Sequence, residues 1–365
     1  MPDGMKRWHA CGERACLSGL VERLWMAKVT LKDIAREVGL SPTTVSLVLN
    51  NRPCHISEEN RRRIKEAAQR KHYIPNAIAR SLVMQQSHTF GLIVPNIESR
   101  YFSSLANSLE IRCRAKGYML LIANSVGSTE SDAELVRLLV NRGVDGIFLV
   151  VADESTQDAD LLDTLAQLPI PLVMVDRFIE GLSCDLVRYD SERGGYLATS
   201  YLVEHGHRRI ACLIKPDSNT GRLRLAGYRR ALEEHGIAFD PGLVFESDYY
   251  IPDAWEASEG LLATDATAAF ATSDNIALGL LKRIYEEGLH VPWDLSVVSY
   301  DNSAADYLFE PALTAIEQNV PAISDVAVGM MLDRVKERLE EADAAPVQER
   351  LLEPQLIEKA SVRTL

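Results

Sequence analysis

Residues 29–50 read VTLKDIAREVGLSPTTVSLVLN. Thr30 precedes an apolar stripe of Leu31, Ile34, Ala35 and Val38, spaced i, i+3, i+4, i+7, and Asp33 stands three residues after Thr30. This pattern predicts an amphipathic helix with an N-cap and an acidic first turn, ended by Gly39. Ser41 supplies a second N-cap, Pro42 suits a first helical position, and Val45, Val48 and Leu49 form the inward face of a second helix. Two short helices joined this tightly cannot bury their apolar faces alone. A third, capped by Ser57 and running through Ile64, Ala67 and Ala68 to about His72, completes the unit.

The charge distribution sets this head apart. The 365 residues carry a formal net charge of -13, yet residues 1–86 carry +7, of which +6 falls in residues 26–86, so the other 279 carry -20. A basic head on an acidic body is the electrostatic footprint of a nucleic-acid reader whose larger part does something else. The second helix would lie in the major groove, N-terminal residues nearest the bases, with Pro42, Thr43, Thr44 and Leu47 facing outward. Thr can meet a base edge or a thymine methyl and Leu offers apolar contact only, so strong bidentate readout is sparse. Arg61, Arg62, Arg63 and Lys65 open the third helix, where they either touch phosphate or form a solvated face. Thr30, Ser41, Ser46, Asn50, Tyr73 and Asn76 complete the candidate DNA contacts.

Pro75 and Asn76 then read as a stop and a cap for a short helix over residues 77–82, before a polar linker over 85–89. A helix of that length is marginal without a partner. The six cysteines are scattered, which favours a reducing cytosol over a disulfide framework, and Cys11 and Cys16 lack the second pair a zinc site needs. No metal or cofactor is expected. No run reaches bilayer length, and Glu22 and Arg23 interrupt the one stretch that suggests a signal peptide, so the expectation is a cytoplasmic protein with no membrane partner.

The stretches VTLKDIAREVGLSPTTVSLVLNN and ISEENRRRIKEAAQRKHYIPNAIARSL resemble the DNA-binding head of the LacI/GalR family of bacterial transcription regulators in motif, spacing and order. The resemblance implies that two heads of a homodimer read a pseudo-palindromic double-stranded operator. It implies paired hinge helices in the minor groove, with Leu82 as the wedge between base steps and Ala79 and Arg80 beside it. The matching recognition positions are Pro42, Thr43 and Leu47; Leu47 departs from the polar residue of the best-known members, so their operator sequences do not transfer. Family members commonly begin near the equivalent of Met26, which makes residues 1–25 an N-terminal extension. Residues 26–74 are then the head and 75–89 the hinge and linker.

From Phe90 onward, β-rich runs such as FGLIVPN, YMLLIANS, DGIFLVV and PLVMVD alternate with helical segments, and a second such series runs from RRIACLIK to DLSVVSYD. This is the pattern of βαβ units and parallel sheets. The fold class expected is therefore a small all-α helix-turn-helix head plus an α/β body of two parallel-sheet lobes. The resemblance covers residues 90–365 as well and implies the periplasmic-binding-protein-like type I fold, in which the chain crosses between lobes three times. The first lobe is expected over about 90–186 plus 320–345, and the second over about 187–319 plus 346–365.

Ligands of open sheets bind beyond the strand ends. Residues at such positions are Tyr101, Phe102, Asp176, Arg177, Arg224, Tyr249, Ser273, Asp274 and Asp301. Carboxylates and Arg with aromatic faces suit a polyhydroxyl ligand, and the resemblance places Asp176, Arg224, Tyr249 and Asp301 among effector contacts. Arg224 and Asp301 are expected on opposite walls. Asp274 can equally cap a helix, and Tyr101 and Phe102 can equally be lobe packing. Ser273 stands where Asn is usual and Ser299 where Gly is usual, so the family does not dictate the ligand.

No HExxH, GxSxG or GxxxxGKS motif is present, and His205 and His207 fall at a helix end and strand start, so an enzyme is not expected. A transporter's solute-binding protein would share the body but not the basic head. The resulting expectation is a repressor controlled by a small-molecule effector, a sugar first, with a purine-type corepressor or a protein partner as alternatives.

Overall fold

The computed structural model describes residues 29–50, 52–73, 86–154, 157–303, 310–340 and 345–365. The expected extension, residues 1–25, and the hinge helix with Asn76, Ala79, Arg80 and Leu82 lie outside the described residues. The chain divides into two compact units at Gln85 and Gln86.

The first unit holds helices α1 (Leu31–Val38), α2 (Pro42–Leu49) and α3 (Glu58–Arg70). The Asp33 carboxylate accepts from both the Thr30 N–H (3.0 Å) and the Thr30 hydroxyl (2.6 Å), which fixes the start of α1. These bonds hold the Asp33 carboxyl below its usual range. Gly39 closes α1 at φ +71°, a conformation that costs a residue with a Cβ. The Ser41 hydroxyl accepts the Thr44 N–H at 3.1 Å and starts α2. Ile34, Val45, Val48, Ile64 and Ala67 are fully buried where the three helices meet. Each of the larger ones removes enough apolar surface to contribute about 1.5–3 kcal/mol.

The second unit contains two sheets. The first has strands β1 (Thr89–Val94), β2 (Met119–Asn124), β3 (Gly146–Leu149), β4 (Leu172–Val175) and β5 (Asp185–Tyr189), with α4 (Arg100–Ala115), α5 (Thr129–Asn141) and α6 (Ala159–Ala166) between them. The second has β6 (Ile210–Ile214), β7 (Val244–Glu246), β8 (Ala268–Ala271), β9 (Ser296–Asp301) and β10 (Thr314–Glu317), accompanied by α7 (Ser191–Glu204), α8 (Asn219–Glu234), α9 (Ile251–Leu262) and α10 (Asp274–Glu286). Helix α11 (Val320–Leu339) returns to the first lobe, β11 (Glu349–Leu352) joins the first sheet and β12 (Gln355–Ile357) the second. The strand orders are β11-β5-β4-β3-β1-β2 and β12-β10-β9-β8-β6-β7. Within each pairing the strands run parallel, except that β12 is antiparallel to β10. Each sheet therefore reverses its strand order beside its first strand, at β1/β3 and at β6/β8, where open sheets hold ligands.

Two lobe boundaries differ from the sequence expectation. The break after residue 186 falls inside β5, which pairs with β4 through Asp185↔Val173 to Val187↔Val175. Residues 349–352, expected in the second lobe, pair with β5. The cause is Asp185: its carboxylate accepts from Arg334 of α11 at 2.6 and 2.8 Å and from the Gln348 N–H at 2.9 Å, which draws the chain before β11 onto the first sheet. The three crossings between lobes are bonded to one another. The Asp190 N–H donates to the Leu352 carbonyl and the Tyr189 hydroxyl to the Asn319 carbonyl, both at 2.9 Å.

Helices α7 and α8 meet at glycines. A Cβ on Gly195 would lie 2.2 Å from the Arg224 carbonyl oxygen, and one on Gly227 would lie 2.0 Å from the Glu192 carbonyl oxygen. This close approach sets the position of Arg224. No described helix is long and apolar enough to cross a membrane.

Candidate effector cleft and DNA-reading face

On the head, Pro42 and Thr43 are exposed and Leu47 is half-buried at the start and middle of α2. The other candidates are tied into the helix ends. Ser41 and Thr44 cap α2, their hydroxyls 2.8 Å apart, and the Asn50 amide donates back to the Ser46 carbonyl at 2.8 Å. Thr30 is bound to Asp33, and Tyr73 packs against the three-helix core. The basic run at the start of α3 is partly paired within its own helix, Arg61 with Glu58 and Arg62 with Glu66, while Arg63 donates to the Val38 carbonyl at 3.4 Å.

In the body, a cleft of about 260 Å³ lies between the lobes and is lined by all nine of the residues expected there. Its walls are strand ends: Pro95 after β1, Ala152 after β3, Asp176 after β4, Lys215 after β6, Ser273 after β8 and Asp301 closing β9. Asp176 and Asp301 occupy equivalent places in the two lobes. Both adopt left-handed backbone conformations, φ +68° and +86°, that non-glycine residues rarely take. Such strain persists where surrounding structure enforces it, and it concentrates at binding sites.

Asp176 accepts from the Tyr101 hydroxyl at 3.1 Å. Burial pushes its carboxyl upward, against the opposing pull of Arg224, Arg177, Tyr101 and Gln318. Asp301 accepts from the Gln318 amide at 2.8 Å and faces Arg224 at 3.9 Å. Burial, together with the Asp274 and Asp176 charges, raises it to about 7 even though Arg224 and Gln318 oppose the shift. Arg224 is 4% exposed, lies 3.7 Å from the Tyr300 ring centroid and donates to the Thr272 carbonyl at 2.5 Å. Burial works against its charge, but Tyr300, Tyr249, Asp301 and Asp176 outweigh that, and it stays a cation. Its Nε is buried with no hydrogen-bond partner in the protein, a donor a ligand oxygen can satisfy.

Three expectations change in detail. Arg224 and Asp301 share one wall, since α8 and β9 both belong to the second lobe; Asp176, Tyr101 and Arg177 form the other. Ser273, not Asp274, caps α10, accepting the Ile276 N–H at 3.2 Å. The Asp274 carboxylate instead accepts from the Ser299 hydroxyl at 2.7 Å and from the Ser303 N–H at 2.7 Å, so it shapes the turn that presents Asp301. Tyr101 and Phe102 are buried in the first lobe's core and also line the cleft.

Sequence reasoning missed the contacts that join the lobes. Glu154, beyond β3, is 3% exposed; it accepts from the Thr220 hydroxyl at 2.7 Å and from the Thr220 N–H at 3.3 Å, at the start of α8. The Asn219 amide donates to the Glu154 and Phe178 carbonyls at 3.2 and 3.0 Å. Arg100 reaches the Ser303 carbonyl at 3.4 Å. Burial raises the Glu154 carboxyl, opposed by Arg177 and Thr220. A single Glu in a loop gives no sequence signal of such a role.

A helix-turn-helix head followed by two parallel-sheet lobes around a carboxylate-and-arginine cleft defines a DNA-binding regulator that carries a ligand domain. Residues 30–76 match the family described as bacterial regulatory proteins, lacI family, and residues 199–362 match the periplasmic binding protein-like domain. The chain is 34% identical over 339 residues to the HTH-type transcriptional repressor PurR of Vibrio atlanticus (strain LGP32), covering 92% of this chain and 99% of that one. It belongs to the lacI family. Among solved structures, the lac repressor dimer bound to operator and the anti-inducer ONPF superposes with a TM-score of 0.78 at 26% identity, over 92% of this chain and 100% of that one. The transcriptional regulator CelR-cellobiose complex does so with a TM-score of 0.67 at 27% identity, over 91% and 99%.

Proposed function

We propose that this protein is a cytoplasmic transcriptional repressor, a homodimer on a pseudo-palindromic operator, whose DNA affinity is set by a sugar held between the lobes. Pro42, Thr43 and Leu47 are the side chains offered to the major groove. The observation that carries the ligand class is the pairing of Asp176 and Asp301, one from each lobe, around the buried Arg224. Carboxylates and a guanidinium make bidentate bonds to adjacent hydroxyls, and the Tyr101 and Tyr249 side chains line the same space. The likeness to a cellobiose complex supports the same class.

A ligand that touches both lobes favours their closed arrangement, and operator affinity responds only to the extent that ligand affinity differs between arrangements. A purine-type corepressor is the second reading, favoured by the identity to the repressor named PurR. Against it, the Arg177 guanidinium lies 5.2 Å from both the Phe102 and the Tyr249 ring centroids, over faces a purine would use for stacking. The test is the melting temperature of the purified protein against mono- and disaccharides and purines, because a ligand of the folded state raises it by mass action. A sugar shift lost in Arg224→Ala and Asp301→Ala supports the proposal; a purine shift with silent sugars replaces it with the second reading.

A further inference from the structure

The cleft is lined by more carboxylates than cations. Among its described lining residues are Asp153, Asp176, Asp217, Asp248, Asp274 and Asp301, against Arg177, Lys215 and Arg224. Each cation has at least one partner inside the protein, and only the Arg224 Nε among the buried donors here is left for a ligand. Arg224 donates to the Thr272 carbonyl and faces Asp301. Arg177 donates to the Val151 and Ala152 carbonyls at 3.3 and 2.9 Å. Lys215 is ion-paired with Asp248. Two helix starts at the cleft are likewise closed, α8 by Ser218 and Glu154, α10 by Ser273 with Asp274 beside it. A third, α4, has no side-chain cap at Ser99 and carries Tyr101 in its first turn, whose hydroxyl donates to Asp176 at 3.1 Å.

An anionic ligand entering this space meets more carboxylates than cations, and Lys215, the cation nearest Asp248, is held in an ion pair. We infer that the cleft selects against anions: its ligand is an uncharged polyhydroxyl compound, and Asp248, by holding Lys215, is a residue that turns phosphate esters away. This rests on the sugar reading above and narrows it. Coulomb repulsion in a partly dry cleft makes a discrimination of about 100-fold or more against a phosphate dianion the natural scale.

The test uses the full chain, wild type and Asp248→Asn, with glucose and ribose each set against its phosphate monoester, and with inorganic phosphate, at constant ionic strength in a calorimeter. The expected result is that a neutral sugar binds at least about 100-fold more tightly than its ester to the wild type. In Asp248→Asn, where Lys215 is freed, the ratio of ester affinity to neutral-sugar affinity should rise about 10-fold or more. An ester that binds the wild type as tightly as its neutral partner, or inorganic phosphate that displaces a bound sugar, overturns the inference. Should every neutral sugar be silent, the sugar reading fails on its own. The charge argument is then decided by the phosphate probes: binding to Asp248→Asn and not to wild type upholds it, and equal behaviour of the two proteins ends it.

Discussion

Replacing Asp301 by Asn should change how stability depends on pH. In the folded protein this carboxyl is raised to about 7 from an ordinary value of 3.8, by burial and by the neighbouring Asp274 and Asp176. Between those two values the unfolded chain has released the proton and the folded chain keeps it, so unfolding releases one proton. Stability therefore falls as pH rises, by at most about 1.4 kcal/mol per pH unit for this group, and levels off above the folded value. From pH 5 to 7 the group removes up to about 3 kcal/mol from the wild type. Asn tolerates the left-handed backbone at this position and can keep a bond to Gln318, while losing the charge opposite Arg224. Below about pH 7 the wild-type carboxyl is itself neutral, so there only the packing difference between Asn and a protonated Asp remains, as a constant offset. The assay is urea unfolding of both proteins at pH 5, 6, 7 and 8, followed by tryptophan fluorescence, to which Trp255 and Trp293, two of the four tryptophans, report from the second lobe. The difference between variant and wild type should shift in the variant's favour by up to about 3 kcal/mol across pH 5 to 7. Profiles that run parallel to within about 0.5 kcal/mol would refute the claim that Asp301 is held protonated by its surroundings.

Glu154→Ala removes the acceptor for the Thr220 N–H and hydroxyl and should weaken lobe closure by about 1–3 kcal/mol; an unchanged small-angle scattering profile would contradict that role. Gly195→Ala drives a methyl into the Arg224 carbonyl and should cost about 1–3 kcal/mol or more while displacing Arg224, seen as a lower melting temperature together with lost ligand response. Ser41→Ala should destabilise the head by about 1 kcal/mol, measured as reduced protection of α2 amides from hydrogen exchange. Operator affinity should fall steeply with salt, with a log-log slope near about -5 for roughly six phosphate contacts, and a flat response would mean the head is not the binding element.

How much of this was legible beforehand depends on how local the cause was. The starts of α1 and α2 are written in Thr30, Asp33, Ser41 and Pro42, whose bonds reach no further than three residues. The buried strands β1, β3, β4, β6, β8 and β9 are continuous apolar runs, and their ends located the cleft residues. Strands β5 and β11 were hidden because DLVRY alternates charge with apolar residues and ERLL is a largely exposed edge; only the Asp185–Arg334 pair, 149 residues apart in sequence, shows where they go. The same holds for Glu154 and Thr220, and for Asp274, whose adjacency to a helix start concealed a carboxylate directed at Ser299 and Ser303. Which wall holds Arg224 was likewise a matter of topology that spacing along the chain does not encode.

The three crossings between the lobes, tied together through Asp190 with Leu352 and Tyr189 with Asn319, have a mechanical meaning. A single tether lets two bodies twist, slide and swing; three adjacent tethers joined side by side resist twist and slide and leave one easy swing. A ligand that touched Asp176 on one side and Asp301 on the other would act along that one swing. The chemistry of recognition is thereby separated from the motion that reports it, so substitutions such as Ser273 and Ser299 can change what is sensed without redesigning the output.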